Sequence, residues 1–175
     1  MKGNGAKLNI VDLGCSKGAE IYSLFWLIRR RRPDLDISGV GVDISSFAIE
    51  EAEKGTYRHD SKELGRVTQD ELDALFIREG DFVVVRDWIK HGISWVVEDA
   101  VNPDLSRLVG LQDIVLANNF LIHLGDLDAK ACLQNIVNLV TPGGYLCLWN
   151  VDLGVKTKFV KSFGLKPISM KIEQV

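Results

Sequence analysis

The chain has 175 residues, 46% of them hydrophobic, and a formal net charge of −3. That length suits one domain, expected to span residues 1–175, and the charge points away from nucleic acid as a partner. No signal segment or apolar span of roughly 18 residues calls for membrane insertion, and the three scattered cysteines suit neither a disulfide framework nor a zinc site, so a soluble, reduced, cytoplasmic protein without bound metal is the default.

After a short polar lead, an apolar run at Leu8 to Leu13 reads as a first strand. Gly18 to Arg32 follows as a helix, with Ile21, Leu24, Phe25 and Ile28 at helical spacing. Its closing run Arg29 to Arg32, just before Pro33, places cations where the helix dipole favours them. Ile37 to Val42 is a second strand ending at Asp43, and a helix from Ser45 to about Lys54 stops at Gly55. Thr68-Gln69-Asp70-Glu71 is a capping box opening a helix that reaches Ile77. Asp81 to Ile89 and Ile93 to Val97, separated by Lys90-His91-Gly92, read as a hairpin inserted at about 80–98 and projecting from the core sheet. Asp113 to Ala117 is the next core strand and ends at Asn118-Asn119. A helix from Asp126 to Val140 is stopped by Pro142-Gly143-Gly144, Tyr145 to Asn150 is a buried strand, Lys156 to Phe163 a helix, and Leu165 to Ile172 a last strand. Alternation of strand and helix predicts an α/β fold with a mostly parallel sheet and helices on both faces.

The stretch KLNIVDLGCSKGAE, Lys7 to Glu20, organises the rest. It reads as strand, glycine turn and helix, the place where open α/β sheets bind nucleotides. Gly14 and Gly18 allow a sharp turn and leave room for a ligand. The loop Gly14-Cys15-Ser16-Lys17-Gly18 lacks the middle glycine of the dinucleotide fingerprint and matches no phosphate loop, which disfavours a dehydrogenase. An acid before the loop suits a ligand without phosphates, such as S-adenosylmethionine (SAM). Its ammonium and sulfonium call for carboxylates, which Asp12 and Glu20 can supply. Asp43, with Ile44 behind it, lies where an acid can accept both ribose hydroxyls. It can equally open the next helix, with Ser45 as cap.

These stretches resemble the CheR-type methyltransferases, which methylate glutamates of chemotaxis receptors. The matching pieces are DLGCSKGAEIYSL at Asp12 to Leu24, GVDISSFAIEEAEKGTYRH at Gly41 to His59, the hairpin region, NNFLIHL at Asn118 to Leu124 and PGGYLCL at Pro142 to Leu148. The resemblance implies a Rossmann-like class I SAM-dependent methyltransferase with S-adenosylhomocysteine as product. It implies that Glu20 holds the methionine ammonium, Asp43 the ribose, and Asp99 with Ala100 the adenine, with Asn118 and Asn119 at the end of the fourth strand. The loop residues Gly14, Cys15, Ser16 and Gly18 complete the expected cofactor set. Departures stand beside these matches. Lys17 and Ala19 replace the usual Thr and Glu, Asn118 replaces an arginine, and His123 stands where the family has a tyrosine close to the methyl group. Trp149-Asn150-Val151-Asp152 replaces a closing G-H-S-E. The family's N-terminal helical domain has no counterpart, so the chain is either an excised domain or builds its substrate side differently.

Methyl transfer is a displacement that depends on alignment and water exclusion. A carboxylate acceptor is already ionised near neutral pH and needs no base; a hydroxyl or amine needs one, and His123 is the candidate. The expected partner is a protein or small-molecule methyl acceptor, with a receptor or a helical domain as further partner. O-methylation of a protein glutamate is the first expectation. A small-molecule methyltransferase and a degenerate SAM-binding or interaction domain are the alternatives. His59 and His91 read as structural or solvated, and Trp88 and Trp95 as core.

Overall fold

The computed structural model describes residues 3, 5–65, 67–151 and 153–168. In chain order these form β1 (Lys7–Leu13), α1 (Ala19–Arg31), β2 (Asp36–Asp43), α2 (Ser46–Lys54), β3 (Thr56–Arg58), α3 (Gln69–Leu75), β4 (Phe76–Glu79) and β5 (Phe82–Val85). There follow α4 (Asp87–Lys90), β6 (Ile93–Val97), α5 (Leu105–Val109), β7 (Gln112–Asn118), α6 (Asp126–Leu139), β8 (Val140–Trp149) and α7 (Leu153–Ser162). Among the described residues the main sheet has the order β6-β2-β1-β7-β8, and every pairing in it is parallel. Strand order turns back on either side of β1, which makes its carboxyl end the switch point where such sheets bind ligands.

Period-two alternation sends odd residues of β1 and β7 to one face and even residues to the other. Val11, Leu13, Val115 and Ala117 pack with Leu105, Cys132, Leu133, Ile136 and Leu139, so α5 and α6 cover that face. Ile10 joins Ile21, Tyr22, Phe25, Tyr57, Val83, Val85 and Ile89 on the other, under α1 and a small second sheet. The cover of this second face is uneven. Over β7 and β8 it stops, leaving Tyr145 51% and Trp149 69% exposed on what reads in sequence as a buried strand. A groove of about 560 Å³ runs there, lined by Leu24 and Leu27 of α1, Val67, Leu75 and Leu116, with Glu20 and Asn118 among its walls.

The insert differs from its sequence reading. Ile93–Val97 is not an arm of a projecting hairpin but edge strand β6 of the main sheet, with Gly41 opposite Trp95. The antiparallel unit lies earlier in the chain: β5 pairs with both β3 and β4, the turn falling at Gly80. The run Asp81 to Ile89 is broken by the helical turn α4, and the helix expected to reach Ile77 yields to β4 after Leu75. Gly92, at φ +81°, turns the chain so that its carbonyl accepts from Gly39 N–H at 2.8 Å and β6 runs parallel to β2. The physical reason is room. Trp95 lies across Gly41 and Gly18, where an added Cβ would stand 2.3 and 2.5 Å from the indole, so only glycines allow the ring to seat. Further along, Pro142-Gly143-Gly144 does not separate helix from strand; β8 runs through it with a register shift between Gln112 and Ile114 of its neighbour. The last strand is not formed at 165–168, and 169–172 lie outside the described residues.

Arg29 joins the second sheet's connection to the core. Its guanidinium donates to the carbonyls of Trp88, of Ile89 at 3.1 Å and of His91 at 2.5 Å, closing the end of α4 onto α1. The basic run thus serves structure in part through one residue. Arg29→Met keeps the aliphatic stem and removes the donors; hydrogen bonds from a charged group contribute about 1.5–3 kcal/mol. The variant should therefore shift the urea unfolding midpoint down by a loss of that order, and an unchanged midpoint would contradict the assignment.

Candidate functional site

The parallel register sets the site. Leu13 pairs with Val42, Asp12 with Leu116, Asp43 with Val97 and Asn118 with Trp149. Carried one or two residues on, the pairing lines up Val97, Asp43, Gly14, Asn118 and Trp149 as one row across the carboxyl end of the sheet. Cys15 N–H to Val42 carbonyl at 3.0 Å continues the ladder into the loop. Because β1 and β2 are in register, the glycine turn and the acid of β2 meet although 29 positions separate Gly14 from Asp43.

Asp43 has two partners. Oδ2 accepts from Ser16 N–H at 2.8 Å and Oδ1 from Ser45 N–H at 3.0 Å. Each carboxylate oxygen retains a further lone pair, so ribose recognition and local capping are compatible. Ser45 caps α2 by accepting from Ala48 N–H. Ser16 itself sits at φ +49°, and Gly14 and Gly18 at +67° and +79°. Over Gly14 lies Phe120, whose ring an added Cβ would approach to 2.8 Å. Gly18 N–H donates to Cys15 carbonyl at 2.8 Å and closes the turn.

At the other end of the row Asn118 Nδ2 stands 3.3 Å from both oxygens of Glu20, the second residue of α1. The amide thus holds the acid at the mouth of the crevice. Asp12 lies one pleat below Gly14, fully buried, with neither carboxylate oxygen hydrogen-bonded. Burial first, then Glu20 and to a lesser extent Asp43, push its carboxyl well above the ordinary carboxylate range, against a weaker pull from Ile21 N–H.

Not every expected residue faces this crevice. The Cys15 side chain is buried, packed near Gly41, and burial raises its thiol strongly, so only its backbone is available. Ile44, 70% exposed, stands beside Asp43 on the open rim. Asp99 is exposed two residues past β6, its Oδ1 accepting from Val101 N–H at 2.9 Å, while Ala100 is buried beneath it. Asn119 adopts φ +63°, its N–H bonded to Trp149 carbonyl at 3.2 Å. His123 is exposed in the 3₁₀ turn Leu121–His123 after β7. His59 and His91 are exposed, as is Trp88, against its reading as core, whereas Trp95 is half-buried.

One supporting residue escaped sequence reasoning. The Tyr57 hydroxyl, from β3, donates to the Lys17 carbonyl at 2.6 Å, and Lys17 Nζ lies 3.6 Å from Glu63. The second sheet thereby props the glycine loop from behind. The only signal was the G-x-Y-R-H string itself: Gly55 at φ +63° ends α2, and Tyr57 follows at the distance needed to reach the loop.

An open parallel sheet with a glycine turn at its switch point, an acid ending the second strand and further acids at the first helix is the arrangement of a Rossmann-like α/β domain with a candidate nucleoside crevice. The chain matches the family model "CheR methyltransferase, SAM binding domain" over residues 1–162 and belongs to that family. It is 27% identical over 156 residues to a chemotaxis protein methyltransferase of Campylobacter jejuni, covering 89% of this chain and 58% of that protein. It is 30% identical over 156 residues to chemotaxis protein methyltransferase 1 of Vibrio cholerae, covering 85% of this chain and 55% of that one. The chain thus spans little more than half the length of these relatives. Among solved structures, the CMeT domain of the citrinin polyketide synthase matches with a TM-score of 0.59 at 17% identity, over 90% of this chain and 40% of that one, a likeness of fold. Among the described residues no helix is long and apolar enough to cross a membrane.

The residues fit the family's cofactor by charge: Asp43, Glu20 and the buried Asp12 gather about the turn. The space that the sequence reading left for a ligand directly over Gly14 and Gly18 is taken instead by the rings of Phe120 and Trp95, so a ligand has to lie along the row beside them. Asp43→Ala removes both the carboxylate expected to accept from the ribose and the tether on Ser16. Loss of hydrogen bonds to a charged group costs about 1.5–3 kcal/mol, so SAM affinity by calorimetry should fall by roughly 10- to 150-fold in a protein that still folds. Unchanged affinity would place the ribose elsewhere.

Proposed function

We propose that the protein binds SAM along the row Asp43, Gly14, Glu20 and Asn118 and transfers its methyl group to a carboxylate oxygen of a protein side chain, the activity that the family and its chemotaxis relatives suggest. The observation that carries the cofactor reading is the register that brings Asp43, the glycine turn and the Asn118–Glu20 pair to one edge of the sheet. Bound SAM supplies an electrophilic methyl group on a sulfonium.

In this reading the chain's own residues bind and orient. Asp43 and the Ser16 backbone define the ribose end, with Ile44, Asp99 and Ala100 toward the base. Glu20, steadied by Asn118, receives the ammonium. Cys15 and Gly18 contribute backbone, and Asn119 shapes the turn after β7. The acceptor approaches from the open carboxyl end, near Trp149 and His123. A carboxylate acceptor brings its own charge and loses no proton, so no residue has to act as base. Positioning and exclusion of water then supply the rate. A receptor or other protein presenting that side chain is the partner this chemistry requires, and an intracellular site of action follows from the same reading.

A second reading has a specific observation behind it. The family pattern puts an arginine where Asn118 donates to Glu20, and no cation takes its place in that contact. A neutral hydroxyl or amine acceptor would lose less by that change, and His123 would then serve as general base.

A pH–rate profile of wild type and His123→Phe separates the two. A carboxylate acceptor predicts a shallow wild-type profile through neutrality and a mild loss in the variant. A hydroxyl or amine acceptor predicts a rate that climbs as imidazole deprotonates, and a variant slowed by about 10²–10⁴-fold, the usual range for loss of a general base. The steep profile, abolished by the substitution, would overturn the carboxylate assignment.

A further inference from the structure

We propose that Asp12 makes the cofactor site select by charge: its carboxylate favours SAM, of net charge +1, over the zwitterionic product S-adenosylhomocysteine, of net charge zero, and it releases a proton to solvent when SAM binds. This rests on the SAM-binding reading and deepens it.

The warrant is an unsatisfied group. Asp12 is 0% exposed, and neither carboxylate oxygen makes a hydrogen bond of good geometry; Ile21 N–H in the first turn of α1 is the one donor that acts on it, and it only partly offsets burial. A buried polar group left so costs about 1–3 kcal/mol, and native structures rarely keep one without a role. Its place is one pleat beneath Gly14, directly under the turn. Among the described residues, the groups around it give it no side-chain cation. Glu20 faces it from α1 and Asp43 from β2, both adding negative charge, and the Cys15 thiol lies on the loop. Lys17, the cation of that loop, is engaged with Glu63 at 3.6 Å. The site's own side chains therefore bring three carboxyl groups together, and burial with these neighbours raises Asp12 well above its ordinary range.

A ligand of net charge +1 changes this balance. SAM carries an ammonium, a sulfonium and a carboxylate; the thioether product carries only the ammonium and the carboxylate. In a poorly screened pocket, attraction to net charge acts over the whole ligand and does not require contact with one particular atom. The sign follows. Below the raised titration range of Asp12, SAM binding has to displace a proton; above it, the carboxylate is already ionised. Affinity for SAM should therefore rise with pH through that range and then level, while affinity for the neutral product should rise less. Methyl transfer removes the positive charge the site holds, so the same residue aids product release.

The experiment is calorimetric titration of wild type and Asp12→Asn with SAM and with S-adenosylhomocysteine, over a pH series from acidic to alkaline, in two buffers of different ionisation enthalpy. Asparagine keeps the shape and removes the charge. Wild type should bind SAM with a buffer-dependent enthalpy that reports proton release, and its preference for SAM over product should exceed that of Asp12→Asn by at least about tenfold. Equal preferences in the two proteins, or proton release that survives the substitution, would overturn the inference while leaving the cofactor site standing. Failure of wild type to bind either ligand would overturn the site reading itself. If Asp12→Asn does not fold, the wild-type data decide: a SAM preference independent of pH and buffer contradicts the proposal.

Discussion

The Asp43 carboxylate binding the backbone of Ser16 at 2.8 Å is the contact on which the site depends. It ties the end of β2 to the middle of the glycine turn, which otherwise stands on positive backbone angles at Gly14, Ser16 and Gly18. Such a loop has few contacts of its own. It is held from the front by an acid and from behind by the Tyr57 hydroxyl on Lys17, so main sheet and second sheet both fix its shape. Precise placement of backbone matters here because alignment, more than acid–base chemistry, drives a methyl displacement.

The price of the arrangement is electrostatic. Asp12, Asp43 and Glu20 gather at one edge with Asn118 as the polar link to Glu20, and Asp12 is buried without a well-formed hydrogen bond. A core chosen for stability alone would place an apolar residue at that position. The adjacent face tells a related story: over β7 and β8 the α1 side of the sheet carries Tyr145 and Trp149 to solvent, beside a groove lined by leucines. Parallel sheets are ordinarily covered on both faces.

Much of this was legible in the residues. The first strand, the glycine turn and the acid closing β2 follow from apolar runs punctuated by glycine and aspartate, signals local enough to read without a partner strand. The row that joins them also follows, because parallel βαβ units place successive strands side by side. The Ile93–Val97 run was misread because a short β-rich segment carries no mark of which strand it will pair with. Its true neighbour was set by Trp95 fitting the space left by Gly41 and Gly18, a three-dimensional complement. Trp149 and Tyr145 looked buried because their strand is apolar, while exposure depends on what covers the face. Asp12 was visible as an acid before the loop, but its burial without a well-formed hydrogen bond was not; that depends on how Glu20, Asn118 and the helix start are arranged around it.

The most direct test of the account is amide chemical-shift mapping of the protein with SAM, S-adenosylhomocysteine and NAD added separately. The row across the carboxyl end of the sheet should respond to the first two, with the largest changes at Gly14, Ser16, Glu20, Asp43 and Asn118, and should stay still with NAD. Changes confined to the second sheet or to the exposed face of β8, or an equal response to NAD, would contradict the assignment of the glycine turn as the cofactor site.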